Sequence, residues 1–113
     1  MTQTLVGSDH AERQPRRKSA VLDRDGTINE YVQFLRRPDE LRLLPGAATA
    51  IRRLRAAGYL TIVVTNQSGI ARGYYSIEDY RAVAARLDTR LDEAGVAVDM
   101  TCFCPHHPDL GGP

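Results

Sequence analysis

"AVLDRDGTIN", residues 20–29, is the stretch on which the reading of this chain turns. Three apolar residues, Ala20, Val21 and Leu22, run into a carboxylate at Asp23. A second carboxylate follows at Asp25, and the chain then turns through Gly26. A short apolar run that stops at polar residues and a glycine fits a buried strand. Residues two apart on an extended chain point the same way, so Asp23 and Asp25 can face one ligand from the strand tip. Two like charges so close repel unless a cation or a shared proton relieves them. Carboxylates with a backbone carbonyl nearby make an oxygen-rich set that suits a hard cation such as magnesium, and magnesium in turn suggests phosphate. The competing reading is plain: aspartate and glycine are turn formers, and Asp25 could simply build an Asx-turn.

Outward from this stretch the chain alternates in a regular way. "SAVLD" is the first strand, and Pro38 argues against one continuous helix over "EYVQFLRRPDELRLL". "PGAATAIRRLRAAG" sets Ala47, Ala50, Ile51, Leu54 and Ala57 on one face at helical spacing, with the arginines largely opposite. Pro45 and Gly46 suit its start and Gly58 its C-terminal cap. "YLTIVVTN" is a continuous β-branched run, the mark of a strand covered on both faces. "SIEDYRAVAARLDTRLDEAG" opens with Ser76 and Asp79 in capping-box spacing. Its Tyr80, Val83, Ala84, Leu87, Leu91 and Ala94 form an apolar stripe, which Gly95 closes. "VAVDMTCF" reads as the third strand. The order β-α-β-α-β predicts an α/β fold, a Rossmann-like parallel sheet with flanking helices and right-handed crossovers. Such sheets bind ligands beyond the carboxyl ends of their strands.

The second strand ends in a polar tip of its own, Thr65, Asn66, Gln67 and Ser68, followed by Gly69. Hydroxyls, amides and backbone N–H groups there could cradle phosphate oxygens without any charge; an ordinary strand-to-helix loop looks the same in isolation. Paired with the carboxylates of a neighbouring strand, the two tips converge on one candidate site. Arg72, in the loop beyond, could fork onto a second phosphate, or could be an exposed arginine at a helix start.

Composition narrows the classes. The chain has 113 residues, 42% hydrophobic and 26% charged, the proportions of one small soluble domain. Its net charge of +1 gives no global field to recruit nucleic acid or a membrane surface. Fourteen of the fifteen basic residues are arginine, scattered among acids. No apolar stretch could span a bilayer, and the N-terminus lacks the apolar region of a signal peptide. Residues 1–17, polar and aperiodic, are expected to form a disordered leader ahead of a domain over 18–113. Two cysteines, Cys102 and Cys104, do not make a disulfide framework, and a cytoplasmic location is expected.

"LDRDGTIN", "VVTNQSGIARG" and "FCPHHPD" together resemble the haloacid-dehalogenase superfamily of phosphatases, from about Ser19 to Pro108. Within it they are most similar to the heptose 1,7-bisphosphate 7-phosphatases and the related histidinol-phosphate phosphatases. The resemblance implies Asp23 as nucleophile and Asp25 as general acid/base, with magnesium held at Asp23 and Asp25. It implies that Thr65 steadies the phosphoryl group and that Asn66, Gln67 and Ser68 contact substrate, with Tyr31 matching a substrate-contacting tyrosine. Cys104 and His106 match half of a structural zinc site, which wants four ligands; Cys102 and His107 lie close by. A balancing lysine, a further acidic motif and the second cysteine pair are expected beyond Pro113, so the 113 residues resemble the first portion of such a phosphatase. Alone they are expected to be inactive or very weak. The implied substrate is a small sugar phosphate, a heptose bisphosphate or histidinol phosphate. A non-catalytic piece that binds phosphate, a partner or a second copy through an open sheet edge is the reading from another class.

Overall fold

The computed structural model of the chain describes residues 18–106; the expected leader over 1–17, and His107, lie outside the described residues. Three strands, β1 (Ser19–Asp23), β2 (Leu60–Asn66) and β3 (Met100–Cys104), form one sheet. They are all parallel, in the order β1-β2-β3. Helix α1 (Ala47–Ala56) connects β1 to β2. The short α2 (Ser68–Ala71) and the long α3 (Ile77–Glu93) connect β2 to β3. A 3-10 turn at Pro38–Glu40 breaks the first connection where proline forbids a continuous helix. The alternation read from the sequence is thus the architecture observed.

Strand order equals chain order, so both crossovers step the same way across the sheet. Right-handed connections then place both long helices on one face. The register agrees. Leu22 pairs with Val63 and Val63 with Thr101 on one face, whereas Val21 pairs with Ile62 and Val64 with Cys102 on the other. Val63 is fully buried, but Val21 is 65% exposed and Val64 39% exposed. This corrects two expectations, a buried β1 and a β2 covered on both faces. Among the described residues only the helix-facing side of the sheet is covered. There Val63 packs with Ile51 of α1, with Val83, Leu87 and Leu91 of α3, and with Ile28, Leu35 and Leu41 from the β1–α1 connection. Burying each such side chain is worth about 1.5–3 kcal/mol.

The helices follow their caps. The Ser76 hydroxyl accepts from the Asp79 N–H at 3.1 Å while Asp79 Oδ2 accepts from the Ser76 N–H at 2.9 Å, the expected capping box. Tyr80, Val83, Leu87 and Leu91 are buried along the predicted stripe. Helix α1 sits rotated from expectation. Ala47, Ala48 and Ile51 face the core, Ala50 and Ala57 face solvent. Arg52 donates to the Ala94 carbonyl at 2.6 Å and Arg55 pairs with Asp99 at 2.8 Å, while both arginines remain exposed.

Strand β3 also starts later than expected. Val96 and Val98 are buried, but outside the ladder. The Asp99 carboxylate takes up the Thr61 N–H at 2.7 Å and the Thr61 hydroxyl at 3.1 Å, beside a backbone bond from the Asp99 N–H to the Thr61 carbonyl at 2.9 Å.

Candidate active site

The loop after β1 closes on itself. The Arg24 carbonyl accepts from the N–H groups of Thr27, Ile28 and Asn29 at 3.2, 2.8 and 3.2 Å, and the Gly26 N–H donates to the Asn29 carbonyl at 2.8 Å. Gly26 takes φ = 85°, a backbone region that a side chain disfavours, which explains the glycine after Asp25.

This closure gathers donors around one carboxylate. Asp25 Oδ1 accepts from Arg24 Nε at 3.1 Å, Arg24 Nη2 at 2.9 Å and Asn29 Nδ2 at 3.0 Å. Its Oδ2 accepts from Arg24 Nη2 at 3.2 Å and, more weakly, from Gln67 Nε2 at 3.4 Å. Arg24 is 2% exposed, whereas Asp25 keeps 23% of its side chain open to the cleft. The guanidinium stands 5.8 Å over the Tyr80 ring, which stacks on Phe103 of β3 at 4.2 Å. Burial, chiefly, raises the Tyr80 hydroxyl above its ordinary pKa. Part of the like-charge repulsion noted in the sequence is therefore relieved from within the motif, by the arginine between the two aspartates.

Asp23 differs in every respect. It ends β1, is exposed, and among the described residues its carboxylate carries no hydrogen bond or ion pair. An unengaged carboxylate is a hard anionic oxygen donor and fits magnesium; with the Asp25 carbonyl that the resemblance adds, the donors present suit that ion.

At the end of β2 and just beyond it, Thr65 and Gln67 are buried at 3% and 2% exposure. Gln67 Nε2 donates to Thr65 Oγ1 at 2.7 Å, and the Tyr75 hydroxyl donates to Gln67 Oε1. Burial, the largest influence, pushes the Tyr75 hydroxyl pKa up. The Gln67 N–H bonds the Cys104 carbonyl at 2.8 Å, fastening this tip to the end of β3. A cleft of about 150 Å³ opens between the two tips. Asp25, Tyr31, Asn66, Gln67 and Ser68 line it, with Phe34, Gly69 and Tyr75 behind them. Of the residues singled out in the sequence, these five meet around one space. Asp23 and Thr65 sit on the adjoining strand ends without lining it, and Arg72, exposed at the end of α2, lies outside the lining set. Cys104 and His106 are exposed, and among the described residues no group of three or more His, Cys, Asp or Glu is placed to hold a metal.

Sequence reasoning missed Arg24, Asn29 and the bond from Tyr75 to Gln67. Alternation along a strand sends Arg24 away from its two neighbours, so nothing in the spacing indicates that its side chain folds back.

No protein-family profile matches the chain. The D-glycero-beta-D-manno-heptose-1,7-bisphosphate 7-phosphatase of Rhodopseudomonas palustris is 47% identical over 93 residues, 82% of this chain and 52% of that protein. The crystal structure of a HAD-like phosphatase from Mesorhizobium loti matches with a TM-score of 0.82 at 43% identity, covering 88% of this chain and 48% of that one. Over the part they share, the chain is similar to HAD-like phosphatases. A second solved structure, the D,D-heptose 1,7-bisphosphate phosphatase of B. bronchiseptica, was complexed with magnesium and phosphate. It matches with a TM-score of 0.75 at 40% identity, over 81% of this chain and 52% of that one. The chain thus spans about half the length of the HAD-like phosphatases it matches. Among the described residues no helix is long and apolar enough to cross a membrane.

Proposed function

We propose that the complete protein carrying this chain is a magnesium-dependent phosphatase that removes the 7-phosphate of D-glycero-D-manno-heptose 1,7-bisphosphate. Residues 18–113 would be its nucleophile-bearing, N-terminal portion, with the bare sheet face and the free edge of β1 covered by the remainder. The observation that carries the reading is the contrast at the end of β1: an unengaged Asp23 carboxylate two residues from an Asp25 carboxylate fixed by Arg24 and Asn29. One is free to react and the other is held to serve it. The relatives' shared activity supports the substrate.

In this mechanism Asp23 attacks phosphorus through a carboxylate oxygen, and the bond to the sugar oxygen breaks. Asp25, oriented by its donors, gives the leaving alkoxide a proton. Water then attacks the aspartyl-phosphate, Asp25 takes the water's proton, and free phosphate and Asp23 are regenerated. Magnesium, held by Asp23 and the Asp25 carbonyl, would neutralise the repulsion between an anionic nucleophile and an anionic substrate. Tyr31, Asn66, Gln67 and Ser68 would contact the substrate, Thr65 the phosphoryl oxygens and Arg72 the second phosphate. Cys104 and His106 would contribute two ligands to a structural zinc site. The two free thiols favour a cytoplasmic setting.

The test is phosphate release by the complete protein from heptose bisphosphate, heptose monophosphate and histidinol phosphate, with and without magnesium. The bisphosphate should be preferred, and Asp23→Asn should abolish turnover. Undiminished turnover by Asp23→Asn, or a preference for histidinol phosphate, would reject the proposal.

A further inference from the structure

We propose that Tyr75 is a positioning residue: through Gln67 it sets the direction of the Thr65 hydroxyl proton, so that Thr65 meets an incoming phosphoryl group as a donor. The inference rests on the phosphatase reading above and adds to it a residue remote from the reacting atoms. Three bonds in sequence carry it. The Tyr75 hydroxyl donates to Gln67 Oε1, Gln67 Nε2 donates to Thr65 Oγ1 at 2.7 Å, and the same Nε2 reaches Asp25 Oδ2 at 3.4 Å.

Both ends of this relay disfavour the reverse arrangement, and the Tyr75 end decides it, because the contact to Asp25 is the longer one at 3.4 Å. A flipped Gln67 carboxamide would set Oε1 against a carboxylate oxygen of Asp25, an acceptor facing an acceptor. It would also turn the NH₂ group toward a tyrosine hydroxyl whose proton then lacks its acceptor. Tyr75 is 7% exposed and its burial favours the neutral, donating hydroxyl. The polarity therefore runs one way, from Tyr75 through Gln67 to Thr65.

The consequence falls on Thr65. Its oxygen already accepts a proton from Gln67, so its own proton must point elsewhere, and among the described residues no acceptor receives it. A hydroxyl that is 3% exposed with an unplaced proton is costly unless a ligand supplies the acceptor. Phosphoryl oxygens are acceptors only, and Thr65 stands at the strand tip beside Asn66 of the cleft. Without the Tyr75 hydroxyl, Gln67 can rotate and offer Oε1 to Thr65. Thr65 then donates inward, to glutamine, and is withdrawn from the ligand.

The test is a double-mutant cycle in the complete protein with Tyr75→Phe, which keeps the ring, and Thr65→Val, which keeps the volume. Loss of an oriented donor to the reacting group costs about 10²–10³ in kcat, so Thr65→Val should fall in that range and Tyr75→Phe by about tenfold or more, with KM changed far less. In the Thr65→Val background Tyr75→Phe should change kcat less than about twofold, because its target is gone. A purely structural role for Tyr75 predicts the same fractional loss in both backgrounds, and that result overturns the inference. So does a silent Tyr75→Phe. Titration of inorganic phosphate in the presence of magnesium provides a second readout. If the enzyme turns over no heptose bisphosphate yet Tyr75→Phe weakens phosphate binding only when Thr65 is present, the substrate assignment falls and the relay stands. If phosphate binding shows no such coupling, the relay falls whatever the substrate.

Discussion

Replacing Gly69 by alanine sets two local effects of opposite sign against each other. Gly69 lies inside α2 and its φ is not in the left-handed region, so helix propensity alone predicts a gain of about 1 kcal/mol. Packing predicts the reverse. A Cβ there would stand 2.2 Å from Tyr75 Cε1, 2.9 Å from its Cζ and 3.0 Å from Phe34 Cδ1. The Tyr75 ring must retreat by about 1.3–1.8 Å to restore an ordinary carbon–carbon contact. It is 7% exposed, with neighbours on the far side. Overpacking of this kind costs about 1–3 kcal/mol, and the retreat also weakens the bond to Gln67, worth about 1 kcal/mol more. The net expectation is a loss of about 1–3 kcal/mol. In a domain of this size each kcal/mol moves Tm by about 4–8 °C, so Tm should drop by at least about 4 °C. Near-UV circular dichroism follows the packing directly, because the chain has five tyrosines and no tryptophan. In a Tyr75→Leu background, where the ring is absent, the Gly69→Ala penalty should shrink or change sign. A rise in Tm on Gly69→Ala alone, or an equal penalty in both backgrounds, would refute the steric reasoning.

Two further outcomes are expected. Burial pushes the Asp99 carboxyl up, but the Thr61 N–H, Arg55 and the Thr61 hydroxyl outweigh it and hold the group below its usual range. The stability this contributes is therefore present above the unfolded value of about 3.9 and is lost as pH falls through the lower folded value. Asp99→Asn should cost about 0.5–1.5 kcal/mol in urea unfolding at pH 7, a modest sum because the pair is partly solvated, and the gap to wild type should narrow at pH 2–3; an undiminished gap there would exclude the charge as its source. A polypeptide of these 113 residues should self-associate in sedimentation velocity through the free edge and bare face at β1, and Val21→Lys should shift it toward monomer; an unchanged distribution would locate the contact elsewhere.

The element order, the capping box at Ser76 and the convergence of two polar strand tips were legible because each depends on local chemistry: alternation, cap residues and runs of β-branched side chains. What escaped depends on the third dimension. The run Leu60–Asn66 looks covered on both faces, yet among the described residues its second face lies bare, since sequence pattern does not count how many helices arrive. Helical spacing puts Ala50 and Ala57 on the inward face, but spacing does not show how far that face is covered, and both alanines end in solvent. Arg24 is the clearest case. As the spacer of Asp-x-Asp it carries no periodic signal, and only the closed loop over residues 24–29 shows its side chain turned back onto Asp25. The bond from Tyr75 to Gln67 escaped for a related reason, spanning eight residues.

Because strand order repeats chain order, the sheet can be assembled in the order of synthesis. Ser19 pairs with Leu60, and Ile62 with Met100, so each new strand docks on the one finished before it and none must be inserted between two others. At ribosomal speeds of about 5–20 residues per second, β1 waits some 2–8 s for its partner to be made, long compared with the folding of a small domain. During that interval Val21 and Leu22 are apolar and unpaired on a nascent chain. The polar residues that close the strand, Arg24, Asp25 and Asn29, can already knit their loop within a few residues of one another. The motif that prepares the chemistry is thus also the first piece of tertiary order available to the growing polypeptide, well before the second strand leaves the ribosome.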